Sequence, residues 1–405
     1  MKQRKHYFIV TCSHGFETIL QQELRKLNLN NVTIGTGMAR FQGTLRDGYK
    51  ASVWTRLGSR VLLELSRFEG NNADELYDGM QKIPWEEHLD AEDSLWIDFT
   101  GYSKDLRHSQ FAARRAKDAI VDRFRDKFGV RPSVDKDGDI RIHIHLQHAL
   151  FVVSLDLCGT PLHHRTPNKR ITDAPLKETL AAALLHHSGW VKQVSKGVDL
   201  LDPMCGSGSI AIEAMGIACN KAGNLDREDW LCFRWKQHNP SLWEDVITEA
   251  NDAKLSKPMA TIHASDMDAT AIEYVKFNCK QQNLPKIHTT VSPIKRLQKM
   301  ADTGFLVTNP PYGERIGSHA YLDEIYTDIG TLFHTLPEWR YFLLCPPNEL
   351  YQKTGFVRKG ERVTLYNGPL KCRFLELQLP VENQTETISE EDSTDFIEQI
   401  SDEQS

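Results

Sequence analysis

The stretch VTNPPYGER at residues 307–315 is the most informative feature of this sequence. It extends the apolar run Phe305–Val307, which indicates a buried strand, and its two prolines end that strand and stiffen the loop that follows. Such a loop can offer the Asn309 amide oxygen and the Pro310 carbonyl as acceptors for both N–H bonds of an exocyclic base amine, with the Tyr312 ring stacking on the base. We therefore predict a catalytic loop of Asn309, Pro310, Pro311 and Tyr312, the alternative being an Asn-Pro-Pro turn without chemistry.

A second motif, GVDLLDPMCGSG at residues 197–208, lies about a hundred residues upstream. Its apolar strand ends at Asp202, a glycine-rich turn follows, and Ser209–Cys219 has the apolar spacing of a helix. Glycines at such a turn let a ligand approach the backbone, while an acid there repels phosphate and suits a cation such as the amino group of S-adenosylmethionine. The predicted cofactor contacts in this loop are Asp202, Pro203, Met204, Cys205, Gly206 and Gly208.

A third element has the spacing expected after the glycine loop. Residues 261–265 indicate a strand that ends at Asp266, and 271–282 indicate a helix. An acid at this point commonly binds ribose hydroxyls, so Asp266 is the predicted ligand, with Asp268 as the alternative and as the better helix cap. The order of elements predicts a doubly wound parallel sheet that binds its cofactor across the strand ends, and together the motifs predict a methyltransferase.

With these motifs the chain resembles the THUMP-containing bacterial RNA guanine-N2 methyltransferases, and among them the branch that acts on 23S rRNA. The resemblance covers roughly residues 5–380 and rests on five segments, namely 12–24, 109–135, 174–190, 309–315 and 366–372. The segment with Trp235, His238 and Trp243 favours the rRNA branch. The resemblance implies a Rossmann-like class I methyltransferase domain with a seven-stranded sheet, preceded by a ferredoxin-like module and a THUMP α+β domain.

The resemblance also implies particular ligands and contacts. S-adenosylmethionine is the implied cofactor, and 23S rRNA or a large-subunit assembly intermediate is the implied partner. The implied cofactor contacts beyond the glycine loop are Lys177, Glu178, Thr179, Met267 and Ser292, and Arg315 is an implied RNA contact.

Three features depart from the family pattern. Arg165–Asn168 stands where the family has Arg-Gly-Tyr-Arg, which puts the local cofactor or RNA contact in doubt. Pro293 stands where the family has an acid for the adenine amine, so the Ser292 hydroxyl or the backbone would hold adenine. The sequence contains one methyltransferase domain, so the second methyltransferase half of fused family members, with its guanine-N7 activity, is expected to be absent.

The predicted domains are a ferredoxin-like module at 1–70, THUMP at 71–158, a linker at 159–175, the methyltransferase domain at 176–380 and a disordered acidic tail at 381–405. A hydrophobic content of 40% and the lack of a long apolar run favour a soluble, cytoplasmic protein rather than a membrane protein. The eight cysteines and the adjacent histidine pairs lack zinc spacing, so no metal site is predicted.

The net charge of −6 is unevenly distributed, which reconciles it with RNA binding. The tail holds nine acids and no Lys or Arg, residues 1–70 hold eleven Lys+Arg against five acids, and residues 71–100 hold one against nine. Residues 107–127 combine cations with apolar residues at helical spacing, which indicates either an RNA-binding face or a solvated helix. The predicted RNA contacts there are Arg107, Arg114, Arg115 and Lys117.

Three alternatives to methylation of 23S rRNA stay open. One is the same chemistry on tRNA. The second is an adenine-N6 DNA methyltransferase, because the Asn-Pro-Pro-Tyr loop also suits the adenine amine. The third is a non-catalytic RNA-binding assembly factor, against which intact Asp202 and Asn309 argue.

Overall fold

The computed structural model describes residues 4–166, 168–172, 175–312 and 319–380. Two β-sheets organise them, one of eight strands and one of seven. Within these ranges no helix is long and apolar enough to cross a membrane, and no group of three or more metal-ligating side chains comes together. The predicted acidic tail and Arg315 lie outside the described residues.

The eight-stranded sheet belongs to the N-terminal part of the chain. Its strands are β1 His6–Thr11, β2 Asn30–Gly35, β3 Met38–Gly43, β4 Arg60–Glu69, β5 Ser94–Gly101, β6 Ser133–Val134, β7 Ile140–Gln147 and β8 Leu150–Asp156. The helices of this part are α1 Glu17–Lys26, α2 Leu45–Trp54, α3 Ala73–Gln81 and α4 Ser109–Phe128. The strand order is β2-β3-β1-β4-β8-β7-β5-β6.

One continuous sheet therefore runs through the two N-terminal modules. Strand β4 pairs antiparallel with β8, with Leu63 opposite Leu155 and Phe68 opposite Phe151. Leu63, Leu155 and Phe151 are buried in the core, which makes the join apolar. Two modules that share a sheet and a core cannot rotate freely against each other, so the N-terminal part moves as one body.

The seven-stranded sheet forms the C-terminal part. Its strands are β9 Asp199–Asp202, β10 Ile262–Asp266, β11 His288–Val291, β12 Gly304–Thr308, β13 Trp339–Cys345, β14 Val357–Asn367 and β15 Leu370–Gln378. Its helices are α5 Glu178–His187, α6 Ser209–Ala218, α7 Pro240–Ala253, α8 Ala269–Gln281 and α9 His319–Thr335. The order is β11-β10-β9-β12-β13-β15-β14, parallel except at β15, which confirms the predicted doubly wound sheet.

The sequence signals for these elements act as expected. Strand β12 is buried throughout, and the two prolines follow within three residues of its end. Helix α8 begins after Asp268, whose carboxylate accepts a hydrogen bond from the Thr270 backbone N–H at 2.8 Å. Asp268 is therefore the helix cap, and Asp266 remains the acid at the strand end.

The segment between α6 and α7 connects the C-terminal part to the N-terminal part through side-chain hydrogen bonds. The Trp235 indole N–H donates to His88 Nδ1 at 3.2 Å, and the Tyr49 hydroxyl lies 2.8 Å from His238 Nδ1. The same hydroxyl accepts a hydrogen bond from the Asn239 backbone N–H at 3.0 Å. Residues that the resemblance associates with rRNA enzymes thus hold the domains together.

A buried ion network adds to this connection. Glu213 on α6 lies 2.7 Å from Arg56 Nη1 and 2.6 Å from Arg165 Nη1, and all three residues are under 9% exposed. The two guanidinium groups lower the pKa of Glu213 against the effect of its burial. Arg165, which opens the segment that departs from the family pattern, is therefore a bridge between domains.

Candidate active site

The glycine loop and the Asn-Pro-Pro-Tyr loop meet at the carboxyl ends of two central strands, which lie along one edge of the seven-stranded sheet. Strands β9 and β12 are parallel neighbours, with Leu201 opposite Leu306. The Thr308 hydroxyl donates to Asp202 Oδ1 at 2.9 Å. Two motifs about a hundred residues apart in sequence are thus joined by a hydrogen bond immediately before Asn309.

Asp202 is a buried carboxyl group. It is only 2% exposed, and burial raises its pKa to about 7, an effect that hydrogen bonds from Thr308 and the Met204 backbone reduce and that nearby Asp266 reinforces. A cation beside Asp202 would favour the ionised form. The electrostatics therefore suit a positively charged ligand group.

The glycine loop is tied to the neighbouring strand. The Cys205 backbone N–H donates to the Ser265 carbonyl at 2.9 Å, and burial raises the pKa of its thiol well above the ordinary value. Gly206 has a φ of +50° and Gly208 has a φ of +89°; a Cβ on Gly208 would lie 2.9 Å from the Val275 side chain. Cys205 is therefore a packing residue, and the turn requires glycine at 208.

Asp266 organises the second strand end. Its Oδ2 accepts from the Gly206 backbone N–H at 2.9 Å and its Oδ1 from the Asp268 backbone N–H at 3.0 Å. Each oxygen keeps a second lone pair for a ligand hydroxyl. Met267 is 66% exposed at this edge, and the Ser292 hydroxyl donates to the Pro293 carbonyl, so its oxygen can accept one further hydrogen bond.

The start of α5 is linked through Lys169 to the start of α6, directly after the glycine loop. Lys177 is exposed, whereas Glu178 and Thr179 are buried. Glu178 accepts from Lys169 Nζ at 2.9 Å, and the same ammonium lies 3.2 Å from the Ser209 hydroxyl at the start of α6. Of these three predicted cofactor contacts, Glu178 and Thr179 are thus enclosed in the protein, and Lys177 presents its side chain to solvent.

The four predicted catalytic residues follow β12 directly. Asn309 Oδ1 is buried and has no hydrogen-bond partner among the described residues. Pro310 is buried, and Pro311 and Tyr312 are half-buried. The Tyr312 hydroxyl accepts from Asn367 Nδ2 at 3.0 Å and lies 3.7 Å from Cys372 Sγ. The loop thus combines a tethered aromatic ring with an acceptor that lacks a partner.

The predicted RNA-binding cations of α4 have different surroundings. Arg115 lies 2.9 Å from Asp74 and stacks on the Tyr77 ring at 4.1 Å, and Lys117 lies 2.6 Å from Asp118. Arg114 is exposed without an acidic partner among the described residues. The acid-rich segment 71–100 therefore neutralises part of this face.

The start of α4 borders a cleft of about 660 Å³. Arg107 lines it together with Lys104 and Tyr102, and Tyr102 is 79% exposed. Two cations beside an exposed aromatic ring are typical of a surface that binds nucleic acid. The sequence carries this signal in the spacing of Tyr102, Lys104 and Arg107, and we did not predict the first two.

Several supporting residues were not predicted from the sequence. Thr308 joins the two motifs, and Asn367 holds Tyr312. Asn278 is fully buried, with its amide bonded to both backbone groups of Arg170 and to the Ser207 carbonyl. A single sequence could point to Thr308 and Asn367, which adjoin or lie within quoted motifs, but the contact of Asn278 depends on the folded chain.

Comparison with known proteins identifies three matching domain families. Residues 7–62 match the RlmL ferredoxin-like domain, 70–156 the THUMP domain and 165–376 the RMKL-like methyltransferase domain. A ribosomal RNA large subunit methyltransferase K/L from Psychromonas ingrahamii is 38% identical over 90% of this chain, and one from Syntrophotalea carbinolica is 36% identical over 92%. These matches cover 49% and 53% of the two relatives, so the chain spans about half their length.

Solved structures resemble the chain over nearly its whole length. A protein from Listeria monocytogenes, described as an N6-adenine-specific DNA methylase, has a TM-score of 0.82 at 25% identity, covering 93% of this chain and 97% of its own. A protein described as a methylase from Clostridium difficile has a TM-score of 0.82 at 27% identity, covering 94% and 100%. A third, described as a methyltransferase and complexed with SAH, has a TM-score of 0.81 at 26% identity, covering 94% and 100%.

These matches agree with the strand order and with the meeting of the two motifs at one sheet edge. They also confirm the resemblance that the sequence motifs indicate. The chain belongs to the RMKL-like methyltransferase family, with THUMP and RlmL ferredoxin-like domains preceding its methyltransferase domain.

Proposed function

We propose that this chain transfers a methyl group from S-adenosylmethionine to the exocyclic N2 amine of a guanine in 23S rRNA. The observation that carries the proposal is Asn309 Oδ1, a buried acceptor with no partner among the described residues, one residue beyond the Thr308–Asp202 hydrogen bond. Leaving such an atom unpaired costs about 1–3 kcal/mol, which an amine N–H would recover on binding.

The residues at the sheet edge fit the cofactor. Ionised Asp202 suits its amino group, the turn at Gly206 and Gly208 admits it close to the backbone, and Asp266 retains lone pairs for its ribose hydroxyls. The Ser292 hydroxyl oxygen can accept from the adenine amine. When bound, S-adenosylmethionine supplies an electrophilic methyl group. The SAH complex of the structural relative supports the same choice.

The Asn309 and Pro310 oxygens prepare the amine. The lone pair of an exocyclic amine is delocalised into the base ring, which makes the nitrogen a weak nucleophile. Two fixed acceptors that bind its hydrogens favour the tetrahedral nitrogen of the transition state and so release the lone pair. This arrangement requires no strong general base, and Cys205, whose thiol pKa is raised by burial, is not a nucleophile in it.

Access to the amine requires an extruded base. A guanine amine cannot reach Asn309 from inside a helix, so the target must be flipped out, and the Tyr312 ring provides a surface for stacking. The Tyr312 hydroxyl is held by Asn367 Nδ2, and burial raises its pKa, so the ring stays neutral and fixed.

Docking of the RNA is assigned to the cleft at the start of α4. Tyr102 provides stacking, and Lys104, Arg107 and exposed Arg114 provide phosphate contacts. The THUMP match to residues 70–156 and the rRNA methyltransferase relatives support an RNA substrate. A large-subunit assembly intermediate as partner and a cytoplasmic location follow from the proposal.

A second candidate function is methylation of adenine N6 in DNA. The structural relative from Listeria monocytogenes is described in those terms, and an adenine amine also fits two acceptors. The THUMP and RlmL ferredoxin-like matches favour the rRNA substrate, because they cover the whole N-terminal part.

A three-substrate assay tests the proposal. The full chain is incubated with methyl-labelled S-adenosylmethionine and, separately, unmodified 23S rRNA made by transcription, a tRNA pool and duplex DNA, and the nucleosides are then analysed. We expect N2-methylguanosine from 23S rRNA alone, and its loss with Asn309→Ala. N6-methyladenine from DNA, N2-methylguanosine from tRNA alone, or no methylated product would contradict the proposal.

A further inference from the structure

A glycine turn of the N-terminal module contacts the strand that holds the catalytic tyrosine. Gly15, with a φ of +87°, lies so close to β14 that a Cβ on it would sit 2.8 Å from the Thr364 carbonyl oxygen and 3.3 Å from the Leu365 side chain. Strand β14 is the outermost strand of the seven-stranded sheet, on the side opposite β11. The turn therefore packs directly against an edge strand of the other domain.

Strand β14 leads from this contact to the active site. Asn367 lies three residues beyond Thr364, about 10 Å along the strand, and donates to the Tyr312 hydroxyl at 3.0 Å. Leu365 is fully buried and pairs with Cys372, whose sulfur lies 3.7 Å from the same hydroxyl. Displacement of β14 by the turn would therefore move Asn367 directly, and Cys372 on β15 through its pairing with Leu365.

The turn itself is fixed by Glu17. The Glu17 carboxylate accepts from the Gly15 backbone N–H at 2.8 Å and from the Gly37 backbone N–H at 2.9 Å. Burial raises the pKa of Glu17, but these backbone donors and His14 lower it below the usual value overall. One ionised side chain thus sets the shape of the turn and ties it to the loop between β2 and β3.

We propose that Gly15 and Glu17 are positioning residues for the methylation pocket, acting on Tyr312 through β14 and Asn367. The N-terminal module then completes the wall that orients the target base, in addition to any contact with RNA. The inference rests on the proposed function, since Tyr312 is the surface on which the base stacks. It also gives a role to the motif at residues 12–17, which the cofactor and amine contacts leave unused.

The main test compares two glycine substitutions. Gly15→Ala introduces a Cβ against the Thr364 carbonyl, whereas Gly129→Ala carries the same cost of a positive φ, +71°, with no atom within 4 Å of the new Cβ. A misplacement of about 1 Å in a reacting group can cost about 100-fold in rate, so we expect turnover on unmodified 23S rRNA to fall about tenfold or more in Gly15→Ala relative to Gly129→Ala. Affinity for S-adenosylmethionine, measured by calorimetry, should be unchanged in both.

A double-mutant cycle separates positioning from general damage. Asn367→Ala alone should lower turnover, and adding Gly15→Ala to it should cause much less than the product of the two separate losses, because both act through Tyr312. Should Gly15→Ala fail to fold, Glu17→Gln serves instead, since it loosens the turn without adding a Cβ. Multiplicative losses, or equal turnover in Gly15→Ala and Gly129→Ala, would overturn the inference.

The wild-type control separates this inference from the proposed function. A wild-type chain that makes no N2-methylguanosine from 23S rRNA contradicts the proposed function and, with it, this inference. A wild-type chain that is active and insensitive to Gly15→Ala and Glu17→Gln contradicts the positioning role alone.

Discussion

The polar groups at the proposed catalytic edge of the seven-stranded sheet are buried and short of partners, whereas the cations on the basic face of α4 are at least partly exposed and mostly paired. At the edge, Asp202 is buried with a pKa raised to about 7, and Asn309 Oδ1 has no partner among the described residues. On α4, most of the cations have acidic neighbours. The pairs within 3 Å are Arg115–Asp74, Lys117–Asp118, Arg123–Glu86, Arg125–Asp122 and Lys127–Glu86.

This difference in pairing indicates where a ligand is expected. A buried group left without its partner destabilises the folded chain, so its retention points to a ligand that supplies the partner. An exposed ion pair is worth little to stability, and its cation is available to phosphate only in competition with the acid. We therefore propose the edge as the site of chemistry, and the cleft with Lys104 and Arg107, together with Arg114 on α4, as the site of RNA docking.

The largest effect is expected from Asn309→Ala. Removing an acceptor that acts mainly in the transition state should lower turnover about 100- to 1,000-fold, while affinities for RNA and cofactor barely change. Single-turnover kinetics and calorimetry measure these quantities. Asn251→Ala, at an exposed helix position, is the control and should behave as wild type. Near-normal turnover in Asn309→Ala would remove Asn309 from the catalytic loop.

The next effect is a pH dependence at Asp202. Because the folded pKa is raised from 3.8 to about 7, the folded chain binds the proton more tightly than the unfolded chain, so stability from this group is present at low pH and is lost as pH rises toward 7. The free energy of unfolding of Asp202→Asn, minus that of wild type, should therefore be a few kcal/mol higher at about pH 8 than at about pH 4. Melting temperatures of both proteins across this range provide the test.

The same titration affects the cofactor. If the cofactor amino group binds the ionised carboxylate as proposed, wild-type affinity for S-adenosylmethionine should rise with pH up to about 7, and Asp202→Asn should remove this dependence. A pH-independent difference in melting temperature together with a pH-independent wild-type affinity would show that Asp202 keeps one charge state throughout.

A smaller loss is expected from Asp266→Ala. The change removes a charged acceptor worth roughly 1.5–3 kcal/mol, so affinity for S-adenosylmethionine should fall at least about tenfold. Asp268→Ala is the matched control, because it removes a helix cap worth about 1 kcal/mol of stability and leaves cofactor affinity intact. Equal affinity losses in the two variants would mean that loop structure, and not a ribose contact, explains the effect.

The smallest effect is expected from Arg107, just before α4, and Arg114, on α4. Reversing the charges of Arg107 and Arg114 to Glu should weaken rRNA binding and reduce the slope of log affinity against log salt by about 1–2, because two phosphate contacts are lost. The same charge change at exposed Lys192 and Lys196, on the methyltransferase domain, is the control. Normal binding by the Arg107 and Arg114 variant at physiological salt would leave α4 a solvated helix.

The sequence predicts the doubly wound fold, and the structure brings the two predicted motifs together at one end of the sheet. Strand ends, glycine turns and prolines are local signals, so the positions of Asp202, Asp266 and Asn309 at the ends of strands could be predicted from their neighbours in sequence. What it does not reveal are contacts made by distant segments. The Thr308–Asp202 hydrogen bond, the Asn278 amide on Arg170 and the pairing of Asp74 with Arg115 all require the folded chain.

The sheet shared by the two N-terminal modules and the hydrogen bonds around Tyr49 illustrate the same limit. Strand β4 has no local feature that identifies β8 as its partner, and Trp235 and His238 could be recognised only as family markers. Both sets of contacts reach across domains. They join the two N-terminal modules to each other and to the C-terminal part, and so fix the proposed docking surface relative to the proposed catalytic residues.

A rate measurement at saturating RNA tests the division between chemistry and docking most directly. Wild type, Asn309→Ala and the double variant Arg107→Glu/Arg114→Glu are each mixed with methyl-labelled S-adenosylmethionine and increasing unmodified 23S rRNA, and the rate of N2-methylguanosine formation is followed in a single turnover. We predict that the arginine variant regains the wild-type rate at high RNA while Asn309→Ala stays about 100-fold slower or more. Recovery of Asn309→Ala at high RNA, or a persistent defect confined to the arginine variant, would contradict this account.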